Sequence, residues 1–260
     1  MIFENIIPDK SVSLFIKNIL VFEEYENTSK TILPFFADGY PGLIFQETQN
    51  GLLVNPHRKQ MPVLFLYGQT IHPIELVMEG NYKLIIFQLY PFVLKSFFEL
   101  DPKSINDNCY DLMQLDDNKI EILIQKLKVE SNFKDRINLL SDFLYTRFRV
   151  KKSTIDFKIK QSLELILDNK GQLSIGKVCE DLKLNERTFE RRFINEVGIS
   201  AKKFSQIIQF QHTLEQLTVK DYTKLTDIVY TNGFADQSHF IKVFKAFTGK
   251  TPKKFNQVRF

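Results

Sequence analysis

The sequence predicts an α+β protein in which a strand-rich N-terminal part precedes an all-helical C-terminal part. Three observations predict it. Eight of the nine prolines fall within residues 1–102, the apolar periodicity turns helical near residue 119, and a segment close to the C-terminus repeats at an offset of 51 residues. The 260 residues suffice for two domains, expected at 1–150 and 153–260.

Proline breaks helices and is tolerated at turns and sheet edges, so residues 1–102 read as strand and turn. The runs SVSLFIKNILVF (11–22), GLIFQ (42–46), PVLFLYG (62–68) and YKLIIFQLY (82–90) are rich in β-branched and aromatic residues. Asp38-Gly39-Tyr40-Pro41, Asn50-Gly51 and Glu79-Gly80-Asn81 supply turn signals between them. Several short strands with regular turns suggest a small barrel or sandwich. Ile120, Leu123, Ile124 and Leu127, then Ile137, Leu140, Leu144 and Phe148, mark two helices near 118–130 and 134–149. Lys151-Lys152-Ser153-Thr154 is a polar joint, and the chain after it reads as helical.

The repeat aligns TFERRFINEVGISAKKF (188–204) with HFIKVFKAFTGKTPKKF (239–255). Phe189 falls on Phe240, Phe193 on Phe244, Gly198 on Gly249, Lys202 and Lys203 on Lys253 and Lys254, and Phe204 on Phe255. One supersecondary unit used twice explains this. In the first copy Ser174 caps a short helix whose apolar face is Ile175, Val178, Cys179 and Leu182. Asn185 caps a second helix with Phe189, Phe193 and Val197 inward, and Gly198 ends it. In the second copy Thr223 caps a helix carrying Leu225, Ile228 and Val229, and Gly233 ends it. Asp236 caps the next helix, with Phe240, Phe244 and Phe247 inward and Gly249 as terminator. Helix, tight turn, helix is the helix-turn-helix plan, whose second helix enters the major groove of DNA. The two units are expected at 174–197 and 225–248.

The outward residues of the second helices are the candidate base readers. They are Arg187, Glu190 and Arg191 in one copy, with Glu186 outward beside them, and Gln237, Ser238, His239 and Lys242 in the other, with Lys245 outward beside them. Arg matches guanine O6 and N7 with two donors, and Gln matches adenine similarly. For a single helix a solvated charged face is the plainer explanation; the repeat and the charge distribution favour DNA. A helix over about 200–219 fits between the units and is roughly 30 Å long at 1.5 Å per residue, comparable to the ~34 Å between successive major-groove faces. Phosphate contacts are expected from Lys245 and from the helix starts Ser200, Lys202, Lys203 and Thr251, Lys253, Lys254. Lysine in a first helical turn opposes the helix dipole, which a phosphate offsets; solvated lysines are the alternative.

The formal charge of +4 hides a split, with −4 over residues 1–150 and +8 over 151–260. A basic half points to a polyanion. With 43% hydrophobic and 25% charged residues, disorder, collagen and coiled coil are excluded as the main theme. Cys109 and Cys179 are the only cysteines, so neither a disulfide framework nor a cysteine zinc site is available. Cys179, on an apolar helix face, reads as a packing residue, and Cys109 has acidic neighbours in Asp107 and Asp111. No apolar run approaches the ~18 residues of a membrane span, and MIFENIIPDK is unlike a signal peptide. A soluble cytoplasmic protein without membrane association is the expectation.

Residues 153–260 resemble the DNA-binding domain of the AraC family of bacterial transcription regulators. The most specific match is Ile228-Val229-Tyr230-Thr231-Asn232-Gly233-Phe234, Asp236-Gln237-Ser238-His239-Phe240, Phe244-Lys245, Gly249 and Thr251-Pro252. Val229 and Cys179 stand where the family usually has alanine, and Asn256 where arginine is common. The resemblance implies double-stranded promoter or operator DNA as partner, with RNA polymerase added for an activator. By position it puts base reading on Arg187, Glu190, Arg191, Gln237, Ser238 and Lys242. It also implies a cupin-like N-terminal barrel with helices, serving a small-molecule effector or homodimerisation. Pro34 to Phe45 is similar to an Asp-Gly segment of such domains.

The rival reading is a cupin-type metal-binding or small-molecule enzyme domain with a DNA-binding tail. Barrel metal sites need clustered His and carboxylates. The first half has only His57 and His72, and His72 with Glu75 gives too few ligands. No Gly-rich phosphate loop and no Gly-x-Ser-x-Gly elbow is present. The expectation is therefore no catalytic residue, no metal and no cofactor. A third reading makes residues 1–150 a protein-contact domain, with FVLKSFFEL (92–100) and the helices at 118–149 either pairing with a second copy or buried in their own domain.

Overall fold

A computed structural model describes residues 2–25, 29–219 and 225–255. It divides into two compact units. The first comprises Met1–Phe35, Tyr40–Gln69 and Ile74–Ile155; the second comprises Phe36–Gly39, Thr70–Pro73 and Asp156–Phe260.

The first unit holds two antiparallel sheets. Its strands are β1 (Ile2–Ile6), β2 (Ile16–Glu24), β3 (Lys30–Phe35), β4 (Gly42–Thr48), β5 (Leu52–Asn55), β6 (Lys59–Gln60), β7 (Leu64–Tyr67), β8 (Ile74–Glu79), β9 (Tyr82–Leu89) and β10 (Cys109–Asp111). One sheet runs β1-β2-β9-β4-β7-β10, the other β3-β8-β5-β6. Leu52, Val54, Leu76 and Met78 of the smaller sheet share a core with Phe65, Tyr82, Leu84 and Ile86 of the larger. Leu84 to Phe87 are all buried without alternation, because the larger sheet is covered on both faces. Its second face meets helix α3 (Phe133–Lys151), where the Arg136 guanidinium lies 5.0 Å over the Phe45 ring. Arg136 is buried, grips Glu47 with two hydrogen bonds of 2.9 and 3.2 Å, and donates from Nε to Glu130 O.

The four strand runs read from the sequence coincide with β2, β4, β7 and β9. The first starts later than expected: residues before Ile16 form a turn in which the Val12 and Ser13 amides bond Asp9 O. Apolar residues there (Val12, Phe15) serve the core from a turn as well as a strand would. Pro34 sits inside β3, which is tolerable because β3 is an edge strand paired only with β8. The segment 92–100 is helix α1 (Val93–Phe98), with Phe92, Leu94, Phe97 and Phe98 all buried in this unit. Helix α2 (Asn118–Val129), capped by Asp117, precedes α3, capped by Asn132. No described helix is long and apolar enough to cross a membrane.

The described helices of the second unit are α4 (Phe157–Asp168), α5 (Ile175–Leu182), α6 (Glu186–Val197), α7 (Ala201–Val219), α8 (Leu225–Thr231), α9 (Gln237–Thr248) and the single turn α10 (Pro252–Phe255). Phenylalanine builds its core around α7. Phe204 lies 5.9 Å from Phe193 of α6, and Phe210 lies 5.6 and 5.1 Å from Phe244 and Phe247 of α9, centroid to centroid. Each fully buried ring contributes on the order of 2 kcal/mol. The six-residue step from Phe204 to Phe210 corresponds to about 9 Å along the axis. The separation of the two second helices is therefore governed by how each leans on α7, not by the full length of α7.

Candidate nucleic-acid interface

The two helix-turn-helix units are built by the same local chemistry. Asn185 Oδ1 accepts from Thr188 N at 2.8 Å to start α6, and Asp236 Oδ1 accepts from His239 N at 2.8 Å to start α9. Both helices have 12 residues and end at a left-handed glycine. The Gly198 amide bonds Ile194 O at 2.8 Å, and that of Gly249 bonds Lys245 O at 2.9 Å. Offset 51 thus governs caps, lengths and terminators. The first helices depart from it by one residue: Leu184 N bonds Cys179 O, whereas Phe234 N bonds Val229 O. The turn in the second unit is one residue longer, from Gly233 to Asp236 rather than from Lys183 to Asn185. Ser174 caps α5 as expected, accepting from Lys177 N at 3.2 Å. The expected cap Thr223, the Leu225 side chain and Asn256 lie outside the described residues.

Phe189, Phe193 and Val197 face inward from α6, and Phe240, Phe244 and Phe247 from α9, all buried. Phe234 in the longer turn packs edge-on against Phe240 at 5.2 Å and against His239 at 5.7 Å. The opposite faces carry the candidate readers. Arg187 and Arg191 are exposed on α6, with Glu190 half-buried between them. Gln237, Ser238 and Lys242 are exposed on α9. His239 is half-buried against Phe234, so its ring braces the turn more than it faces outward. Ile241, 40% exposed, shares the face of Ser238, Lys242 and Lys245. It is the repeat counterpart of Glu190; apolar residues read as core in the sequence, but the offset points to it.

Adjacent cations differ in exposure and in partner. Arg191 is exposed, whereas its neighbour Arg192 is bound to Asp156. Lys202 is exposed, but the Lys203 ammonium sits 4.4 Å over the Phe247 ring. Of this expected pair of phosphate contacts, Lys202 is exposed and Lys203 is half-buried. Lys245, Lys253 and Lys254 are exposed. Ser200 and Thr251 act as caps, accepting from Lys203 N at 3.1 Å and Lys254 N at 3.4 Å. Cys179 is buried in α5, and burial, aided by Glu186 and Glu190, pushes its thiol pKa up.

The first unit carries clefts. A cleft of about 1080 Å³ opens between β1, β2 and α3, lined by Ile6, Val21, Ile137 and Tyr145 among others. A second, of about 470 Å³, separates α2 from α3 beside Ile122, Phe143 and Arg147. Among the described residues no group of three or more His, Cys, Asp or Glu is placed to hold a metal ion.

Two family profiles match the chain. One, described as a helix-turn-helix domain, matches residues 178–257; the other, described as a domain of unknown function (DUF6597), matches residues 4–111. An uncharacterized HTH-type transcriptional regulator of Staphylococcus aureus is 31% identical over 101 residues, covering 38% of this chain. The match spans only 13% of that relative's length. The transcriptional activator PerA of Escherichia coli O127:H6 is 24% identical over 172 residues, 60% of this chain and 61% of PerA. Among solved structures, ToxT from Vibrio cholerae aligns over 92% of this chain and 97% of its own, with 15% identity and a TM-score of 0.48.

Proposed function

We propose that this chain, a member of the AraC family of helix-turn-helix transcription regulators, reads DNA with α6 and α9 in adjacent major-groove segments on one side of the duplex. The chain belongs to a family of regulators, not of enzymes. The observation that carries the reading is the recurrence, at offset 51, of a capped 12-residue helix with a phenylalanine inner face and a polar outer face. Arg187, Glu190 and Arg191 read bases in one segment, and Gln237, Ser238 and Lys242 in the other. Lys202, Lys245, Lys253 and Lys254 hold phosphates. The DNA partner goes with a cytoplasmic location. The domain limits 1–150 and 153–260 divide regulation from DNA binding, and the clefts described in the first unit support a small-molecule effector there. The exposed Ile122, Val129 and Val150 on α2 and α3 support self-association as the other means of control.

Selection of bound DNA from a random library tests the reading. The expected product has two conserved blocks about one helical turn apart, 10–10.5 base pairs centre to centre. Absence of any enriched sequence overturns it.

A further inference from the structure

Two polar contacts tie the far end of α8 to the rest of the helical unit. After α4 the chain turns through Lys170 and Gly171, both left-handed at φ 55° and 73°. Gln172 follows, and its Nε2 donates to Thr231 O, the last residue of α8, at 3.0 Å. The next residue, Asn232, is 3% exposed. Its Nδ2 donates to Oε1 of Gln216 on α7 at 2.6 Å and to Ile228 O at 2.9 Å. The end of α8 is thus tied both to the turn that precedes the first helix-turn-helix unit and to the helix that joins the two units.

Near these contacts the backbone of Gly171 approaches α7 too closely for a side chain, and Gly233 packs tightly on the Gln172 side chain. A Cβ on Gly171 would stand 2.2 Å from Ser205 O of α7, and one on Gly233 would stand 3.3 Å from Gln172 Cγ. A buried amide such as that of Asn232 is tolerated only when its hydrogen bonds are made, so it favours one arrangement over its neighbours. An apolar residue there would allow α8 to slide or rotate on α7 at little cost.

We infer that Gln172, Gln216 and Asn232 are positioning residues that fix α9 relative to α6, and so set the spacing between the two DNA blocks that the protein accepts. They do not belong to either polar reading face. The inference rests on the reading that both α6 and α9 contact DNA.

The test uses the full chain, the DNA selected above, the same DNA with one base pair added or removed between the blocks, and DNA with either block scrambled. Gln172→Ala and Gln216→Leu remove one contact each, at an exposed and a half-buried position. Gln216→Glu keeps the acceptor for Asn232. The wild type is expected to favour one spacing by about tenfold, the scale of a mismatched base pair. Gln172→Ala and Gln216→Leu should bind each single block within about twofold of wild type yet lose most of the spacing preference. Gln216→Glu should retain it. A preserved spacing preference in both contact-breaking variants overturns the inference, and so does an equal loss of binding to single blocks, which marks a mere folding role. A wild type indifferent to scrambling one block overturns the two-helix reading itself, and the inference with it; that outcome is recognised without any variant.

Discussion

Arg192 clasps Asp156 with two charge-assisted hydrogen bonds, Nε to Oδ2 at 2.8 Å and Nη2 to Oδ1 at 2.6 Å. The same carboxylate caps α4, accepting from Lys158 N at 3.1 Å and Ile159 N at 3.2 Å. One side chain therefore starts α4 and holds α6 against it. Arg191, one residue earlier, points to solvent from the face opposite the phenylalanines.

The two neighbours should therefore fail differently. Arg192→Ala leaves a partly buried carboxylate without its bidentate partner and should lower stability by about 1–3 kcal/mol. Arg191→Ala should change stability by no more than about 0.5 kcal/mol, but weaken DNA binding by about 1–3 kcal/mol at a single base position. Denaturant unfolding and binding to single-base variants of the selected DNA separate the two effects. An unfolding midpoint shifted by Arg191→Ala and untouched by Arg192→Ala would reverse the assignment.

Much of this was legible in the sequence because it is local. Ser174, Asn185 and Asp236 each cap an amide three residues on, and Gly198 and Gly249 end helices by backbone conformation alone. What was not legible depends on distant partners. Arg191 and Arg192 are the same residue type, and the Asp156 that distinguishes them is 36 residues away. Lys202 and Lys203 are likewise told apart only by Phe247. In the first unit, β1 is exposed along nearly its whole length and so has no buried stripe to signal a strand. The six-residue apolar segment of α1 fits a buried strand and a buried helix equally.

The turns of the two units differ in a way that stability can report. Lys183 holds the left-handed conformation at φ 52° that Gly233 holds in the second unit at 75°. A side chain there costs roughly 1–2 kcal/mol, partly offset by the greater unfolded-state freedom of glycine. Lys183→Gly should thus stabilise the helical unit by about 0.5–1 kcal/mol. A higher denaturant midpoint is the expected result, and a lower one would show that the Lys183 side chain contributes more than its backbone strain costs.

Phosphate and base contacts differ in salt dependence. Lys253→Ala should weaken binding to every sequence alike and reduce the slope of log K against log salt by about one. Lys203→Ala should leave the slope nearly intact, because that ammonium is committed to the Phe247 ring. Titrations of the selected DNA between about 50 and 200 mM salt measure both slopes. Equal slope changes for the two lysines would return Lys203 to the phosphate-contacting set.

Ile241 is the apolar member of the α9 face, three residues after Ser238 and beside Lys242. An aliphatic side chain exposed among polar readers suits the 5-methyl group of thymine, which projects into the major groove and offers no hydrogen bond. Burying one such methyl contributes roughly 0.8 kcal/mol. If Ile241 makes this contact, replacing one thymine of the second block by uracil should weaken wild-type binding by about that amount. Ile241→Ala should bind thymine- and uracil-containing DNA equally, because the partner of the methyl group is then missing. The comparison is a double-mutant cycle across the interface, in which any general loosening of α9 by the substitution cancels between the two DNAs. A thymine preference undiminished in Ile241→Ala would place the methyl-reading contact on another residue of α9.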